Sequence, residues 1–443
     1  MTIDTGNEAF QEAAGHVLQG GGSLFLTGKA GTGKTTFLKY VREATTKRHV
    51  VVAPTGIAAL NAGGVTIHSM FGIPPRPFDA LVSPQAIAAN VKLFKEKRKL
   101  IEKLELLIVD EISMVRADLL DVLDHVLRRF SKLPGAALRP FGGVQMLMIG
   151  DPYQLPPVVR SDERGPLLER YDSPFFFAAE AYRELQPPTI ELQHIYRQKD
   201  PEFKDLLNAI RDGRNGPEVL ERLRGRVDAD LALKPSEGFI TLCSHRAQAE
   251  KINDRELRAL DSRSRTYEGV LKGKFKPADV PAPMQLELKV GAQVMFVKND
   301  PAGRFQNGSL GTVTALHDAE VEVELHNPPE GLDNPRLTVG VEQWDRMKYA
   351  VNAQSGALEE QSEGSYKQIP LTLAWAVTIH KSQGLTLDKV VADVAACFDS
   401  GQTYVALSRC TSLEGLVLPD LPSARAIRVA PAVQEFMAQP SMG

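Results

Sequence analysis

Four apolar runs recur along the first third of the chain, each ending on glycine or an acidic residue: SLFLTG, HVVVAPTG, LELLIVDE and VQMLMIGD. None alternates apolar with polar positions. Each therefore reads as a strand buried on both faces, in a parallel sheet whose crossovers are helices. The pattern predicts a doubly wound α/β domain with its ligand outside the carboxyl ends of the strands. A second α/β set follows: GFITLCSHRAQAEKIND reads as strand then helix, and LTLAWAVTIHKSQG, LDKVVADVAACF and TYVALSRC as strand, strand and helix. Between Tyr267 and Gln368 the texture changes. KVGAQVMFVKND, GSLGTVTALH and EVEVELHNPP are short β-runs broken by Gly, Pro and Asn. They predict a small all-β barrel inserted into the second α/β domain.

The expected organisation is a first α/β domain at 1–180, a second in two pieces at 181–266 and 369–443, and the barrel at 267–368. An insertion at 71–103 interrupts the first domain, opening with the Pro-rich GIPPRPF and closing with KLFKEKRKLIEK. Such a charged run reads first as a solvated helix face and only second as a nucleic-acid contact.

Composition adds bounds. At roughly 150 residues per domain, 443 residues make about three domains, and a 43% hydrophobic chain can bury a sizeable core. The net charge of −3 leaves nucleic-acid binding open, because counterion release depends on the phosphates neutralised locally. Cys243, Cys397 and Cys410 fit no metal spacing and are expected to be reduced core residues. The opening MTIDTGNEAF lacks the basic and apolar regions of a secretory signal, and no apolar run reaches the ~18 residues of a membrane helix. The expected location is the cytosol, with no membrane partner.

The chemistry starts at SLFLTGKAGTGKTT, where Gly28, Gly33, Lys34 and Thr35 match the phosphate-loop pattern G-x-x-x-x-G-K-[ST]. Glycines let backbone N–H groups approach phosphate oxygens at a positive helix N-terminus, with Gly31, Thr32 and Thr36 completing the loop. Lys34 is expected on the β- and γ-phosphates and Thr35 on Mg²⁺. In LLIVDEIS, Asp110 suits the Mg²⁺ shell and Glu111 the polarisation of the attacking water. The pair favours hydrolysis over simple binding of a nucleotide. Any P-loop ATPase, a GTPase or a kinase fits this far, although no Asn-Lys-x-Asp motif of GTP specificity is present.

What narrows the class is the order GKAGTGKTT, APTGIAA, TIHS, VDEISM, PFGGVQMLMIGDPYQLPPV, HIYRQ, AVTIHKSQGLTLDKV and YVALSRC. It resembles superfamily 1 helicases, most closely the Pif-type (petite integration frequency) branch, with RecD- and Dda-type motors as relatives. The resemblance runs from about Asn7 to Ser412. It implies two RecA-like domains, an SH3-like barrel, and ATP and Mg²⁺ as cofactors. It also implies an ATPase that moves 5′ to 3′ on single-stranded DNA and opens tailed or forked duplexes, with one copy sufficient.

Residue by residue, the resemblance makes Arg197 and Arg409 arginine fingers and Gln154 the γ-phosphate sensor. Gln11 becomes the adenine reader, and Gly384 joins the nucleotide site. Pro54, Thr55 and His68 become strand contacts of the first lobe, and Thr378, His380, Lys381 and Ser382 those of the second. Such small polar positions hold phosphates without reading sequence. Phe71 is placed beside them as a stacking surface for a base, with a core phenylalanine as the alternative. The 71–103 insertion becomes a duplex-splitting wedge, and G-quadruplexes and RNA–DNA hybrids join the possible substrates as family habits. One departure is Pro152 followed by Tyr153, where the family often has an aromatic directly after the aspartate. The long N-terminal extension of eukaryotic members is also missing, which points to a prokaryotic source. Two rival readings stay open: a RecD-like motor subunit that needs a partner, and a single-strand binder that uses ATP only as a switch.

Overall fold

The computed structural model describes residues 7–73, 83–233, 238–329, 331–332, 334–352 and 358–439. The chain divides into two compact units. One runs to Tyr196 and takes in Met347–Ser362 and the chain from Ala430 onward; the other comprises Arg197–Arg346 and Glu363–Val429.

In the first unit, β1 (Leu24–Gly28), β2 (His49–Ala53), β3 (Val65–Thr66), β4 (Leu106–Val109), β5 (Gln145–Ile149) and β6 (Thr189–Leu192) form one sheet, in the order β3-β2-β4-β5-β1-β6. Every neighbouring pair is parallel. The apolar runs are buried along their length, as strands covered by crossover helices should be. Helices α1 (Glu8–Leu18) and α2 (Lys34–Ala44) pack on the sheet through Phe10, Val17, Phe37 and Val41 against Leu24, Leu26, Ile108 and Leu147. Asn7 caps α1 by accepting from the Phe10 amide at 3.1 Å.

Farther along lie α3 (Gly56–Ala62), α4 (Ile67–Phe71), α5 (Pro84–Asn90), α6 (Lys95–Lys103) and α7 (Ala117–Phe130). The charged run forms α6, which buries Leu100 and Ile101 and leaves Lys95 and Lys99 in solvent. Arg129 of α7 donates to the Ala88 and Ala89 carbonyls at 2.9 and 2.8 Å and so holds the end of α5. Pro74, Pro75 and Pro77, the stiff start expected of the insertion, lie outside the described residues.

Helix α7 also shapes the PFGG turn. The Asp124 carboxylate accepts from the Phe141 amide at 2.5 Å, where Phe141 is held at φ +51°. The next residue, Gly142, has φ +63°, and a Cβ there would lie 2.6 Å from the Leu127 carbonyl oxygen. Asp121, one turn earlier, accepts from the Glu180 and Ala181 amides and the Tyr171 hydroxyl, capping the helix Glu180–Leu185. Burial pushes both carboxyls above their ordinary range while these hydrogen bonds pull the other way.

The second unit carries its own parallel sheet, ordered Ala376–Thr378, Ile240–Cys243, Val390–Ala392, Leu416–Val417. Between its strands the chain leaves to build antiparallel sheets. The largest has five strands, ordered Arg336–Gly340, Glu320–Leu325, Leu310–Leu316, Gln293–Phe296 and Leu371–Leu373. In EVEVEL the valines and the leucine are buried and the glutamates face outward, the period-two pattern of a half-buried strand. Stacked Phe296 and Phe305, 4.0 Å apart, sit in the core of this insertion with Leu286, Val313, Val321 and Val323. The architecture is thus two parallel α/β cores, the second interrupted by an all-β insertion, as the sequence predicts. Cys243 and Cys410 are buried and all three cysteines are free. Among the described residues no helix is long and apolar enough to cross a membrane.

Two stretches return to the first unit late in the chain. In the stretch Met347–Ser362, the Tyr349 hydroxyl accepts from the Val51 amide of β2 at 3.1 Å, and Glu360 pairs with Arg42 at 2.8 Å. The terminal helix Pro431–Ala438 stacks Phe436 on Phe177 at 4.2 Å.

Candidate nucleotide and nucleic-acid sites

The loop after β1 turns into α2 through Gly28, Gly31 and Gly33 at φ +156°, +80° and +91°. Gly28 has no room for a side chain, since a Cβ would lie 2.6 Å from the Thr32 hydroxyl and 2.8 Å from the Leu192 carbonyl oxygen. Thr32 is buried, and its hydroxyl closes the loop on the Lys29 carbonyl at 2.9 Å. The Lys34 ammonium donates to the Gly28 and Lys29 carbonyls at 2.5 and 3.0 Å, lying over the loop that would cradle phosphate. Thr35 is exposed at the start of α2 and Thr36 half-buried beside it.

At the end of β4, burial pushes the Asp110 carboxyl well above the usual carboxylate range, against the Glu111 amide and the Lys34 charge. Such a carboxylate gains from a nearby cation. Glu111 sits at φ +52°, a left-handed conformation that costs a non-glycine residue energy and is concentrated at functional sites. Among the described residues no three His, Cys, Asp or Glu side chains gather as a metal cage. Thr35 and Asp110 instead offer the one or two hard oxygen ligands with which nucleotide sites hold Mg²⁺ beside phosphates.

At the end of β5, the buried Asp151 carboxylate accepts from the Gln154 side-chain amide at 3.0 Å and the Tyr153 amide at 3.2 Å. Gln154 is therefore held by its nitrogen. Gln11 is exposed on α1, on the side away from Phe10, Ala14 and Val17.

The sequence reading missed Tyr196. Its amide donates to the Gly31 carbonyl at 2.9 Å, its hydroxyl accepts from Asn7 at 3.2 Å, and its ring lies 3.8 Å from where a Gly33 Cβ would be. Tyr196 is 44% exposed beside the phosphate loop, and its aromatic side chain is of a kind suited to a nucleotide base. Its signal was in view, as the residue before Arg197 in IYRQ.

Arg197 and Arg409 belong to the second unit. Half-buried Arg197 donates to the Thr386 hydroxyl and the Ser408 carbonyl, both at 3.1 Å, and to the Gly384 carbonyl at 3.4 Å. Burial lowers its guanidinium to about 10, which leaves it charged at neutral pH. Arg409 is 1% exposed and donates to the Val405 carbonyl and the Ser408 hydroxyl, both at 2.8 Å. Gly384, at φ +84° with open space around its Cα, lies in the loop that Arg197 grips.

Strand-contact candidates fall at strand ends in both units. Pro54 is half-buried, and exposed Thr55 caps α3 by accepting from the Ala58 amide at 3.2 Å. His68 is half-buried in α4. Phe71 needs correction. It is fully buried at 0% exposure, so its ring packs in the core and offers no face to a base. In the second unit, the Thr378 hydroxyl accepts from the Lys381 amide at 3.2 Å and exposed Lys381 is presented on that turn. The Ser382 hydroxyl is turned inward onto the Ile379 carbonyl at 2.8 Å, so its side chain shapes the turn. Burial lowers the His380 imidazole below its ordinary value, which favours the neutral ring. His245 and Phe398, absent from the sequence reading, stack at 5.3 Å and 9° with Phe398 47% exposed. No spacing announces a pair so far apart in the chain.

A family model described as PIF1-like helicase matches residues 4–219. The human ATP-dependent DNA helicase PIF1 is 35% identical over 430 residues, covering 94% of this chain and 61% of the human protein. Bdellovibrio bacteriovorus Pif1 is 33% identical over 439 residues, covering 97% and 91%. The chain thus spans about three fifths of the vertebrate relatives it matches and nearly all of the bacterial one. Bacteroides sp Pif1 in complex with ADP-AlF4 superposes with a TM-score of 0.87 at 41% identity, over 99% of this chain and 97% of that one. The same Bacteroides protein bound to single-stranded DNA gives 0.67, over 98% and 96%. On these matches, this chain belongs to the PIF1-like helicase family.

Proposed function

We propose that the chain is an ATP-driven DNA helicase that moves 5′ to 3′ along a single strand and opens tailed or forked duplexes. What supports this reading is that one unit carries a phosphate loop with a buried acidic strand end, and the other carries an arginine turn bonded to a strand-contact loop. In the first unit, backbone amides of Gly28–Thr36 bind phosphate, Lys34 neutralises it, and Glu111 takes a proton from the attacking water. Gln154, with its nitrogen on Asp151, presents its amide oxygen to that water. Tyr196 and Gln11 bracket the base. Thr35 and Asp110 would hold Mg²⁺, which supplies charge neutralisation at the phosphates.

Arg409 and Arg197 supply the positive charge that a dissociating γ-phosphoryl group needs, the arginine-finger role. In the second unit, Arg197 reaches Gly384 and Thr386, a few residues past Thr378, His380 and Lys381. A change at the phosphate is thereby passed to the loop that holds the strand, and a change at the strand passes back. Pro54, Thr55 and His68 are the matching contacts of the first unit. Phosphate contacts of this kind hold DNA without sequence preference. Duplex stacking of about 1.4 kcal/mol per base-pair step sets the work of each advance.

Steady-state ATPase with and without single-stranded DNA tests this coupling. The expected result is strong stimulation, with His380→Ala lowering the stimulated rate far more than the basal one. Equal losses in both rates would take His380 out of the strand groove, and an ATPase indifferent to DNA would overturn the motor reading.

A further inference from the structure

The IYRQ segment contains a second polar side chain that the arginine-finger reading leaves without a role. Gln198 is 2% exposed, and its amide nitrogen donates to two carbonyls, Ser408 at 3.1 Å and Cys410 at 2.8 Å. These are the carbonyls immediately before and after Arg409. We propose that Gln198 is the positioning residue of the arginine turn, fixing the backbone on both sides of Arg409 so that its guanidinium is presented at one height and angle.

The proposal rests on the arginine-finger reading of Arg409 and adds what sets that finger. A primary amide carries two N–H donors on one nitrogen, which is what two flanking carbonyls require. The carbonyl between them is held separately: Arg409 O accepts from the Leu387 amide at 3.0 Å, and the Thr411 amide donates back to Leu387 O at 3.0 Å. Asp388 adds a side-chain bond to the Thr411 hydroxyl at 2.9 Å. Three successive carbonyls, 408 to 410, are therefore pinned from outside the helix Gln402–Leu407 that leads into them. Two of the three are held by Gln198, more than two hundred positions earlier in the chain. Its neighbour Arg197 shares the Ser408 carbonyl at 3.1 Å, which gives that oxygen two donors. Placing both on consecutive residues joins the two arginines mechanically, since the backbone that carries one of them grips the turn that carries the other.

A finger works only when its charge meets the γ-phosphate at the moment of transfer, and a displacement of about 1 Å in such a group costs on the order of 100-fold in rate. Gln198→Met keeps length and volume but removes both donors. Its expected effect is a roughly 10- to 100-fold fall in kcat for DNA-stimulated ATP hydrolysis, with KM for ATP unchanged within about twofold and a lower melting temperature, because the buried Cys410 carbonyl loses its donor. Gln198→Asn, whose shorter amide reaches one carbonyl only, should fall between the two. It also serves as the deciding variant if Gln198→Met does not fold.

The test that separates positioning from general support is the double variant. If Gln198 acts through Arg409, then Gln198→Met lowers kcat in the wild-type background and not further in the Arg409→Ala background. The same fold-loss in both backgrounds, or wild-type kcat in Gln198→Met and Gln198→Asn, overturns the proposal. Wild-type kcat in Arg409→Ala alone would instead overturn the arginine-finger reading on which it rests. The two failures are therefore distinguishable.

Discussion

In the proposed mechanism the phosphate loop of the first unit and the arginine turn of the second share one chemical task, placing charge around a transferring phosphoryl group, yet the two are built in opposite ways. The loop is local. Nine consecutive residues from Gly28 to Thr36 carry it, and its shape comes from glycines at positive φ, a missing Cβ at Gly28 and the axis of α2. The turn is assembled from a distance. Arg197 and Gln198 reach Ser408 and Cys410, Leu387 bonds Arg409, and Asp388 bonds Thr411. A phosphate cradle needs fixed N–H groups, which backbone geometry supplies cheaply. The proposed finger needs its guanidinium at one set position on a turn built from remote parts of the chain, which asks for a stiff mesh rather than a preformed pocket.

That contrast orders the expected effects of mutation. Arg409→Ala should produce the largest, a fall of about 10³–10⁵ in kcat with ATP affinity retained. Steady-state ATPase at saturating DNA and equilibrium nucleotide binding measure the two quantities, and a loss below tenfold would make Arg409 a structural residue of the turn. Glu111→Gln comes next. It keeps the size of the side chain and removes the base, so kcat should drop about 10²–10⁴ while nucleotide still binds. Near-normal turnover would free Glu111 from the role of base and leave its φ of +52° without a chemical reason.

A smaller effect outside both sites serves as the control. Tyr349→Phe removes the acceptor for the buried Val51 amide, which costs about 1–3 kcal/mol of stability. Thermal melting should register it, with kcat at 25 °C unchanged. If kcat fell as well, the stretch Met347–Ser362 would be part of the working machinery and not only of the fold.

The same contrast explains what was legible in the sequence. SLFLTG and LLIVDE could be read because a buried parallel strand leaves an uninterrupted apolar run, and GKAGTGKTT because its geometry lives in adjacent residues. EVEVEL could be read as a short β-run because Asn and Pro residues bound it, and the structure buries its valines in alternation. Phe71 was misplaced because an aromatic beside TIHS looks the same from sequence whether its ring faces DNA or the core; the structure puts it at 0% exposure. Gln198, Tyr196 and the His245–Phe398 pair went unseen since each takes its meaning from a partner remote in the chain. PAVQEFMA forms a helix in the structure, but nothing in its residues says that Phe436 will stack on Phe177 of the first unit. Asp121 and Asp124 show the same limit from the other side. On a helical wheel they look like solvated charges, whereas they are buried caps for the helix Glu180–Leu185 and the PFGG turn.

The most direct test of the central claim is strand separation by the purified chain with ATP and Mg²⁺, on duplexes carrying a single-stranded tail at either the 5′ or the 3′ end. The account predicts opening of the 5′-tailed duplex only, and none by Glu111→Gln. Opening of the 3′-tailed duplex alone would contradict the direction, and failure on both while single-stranded DNA still stimulates ATP hydrolysis would contradict the claim that this chain by itself is a helicase.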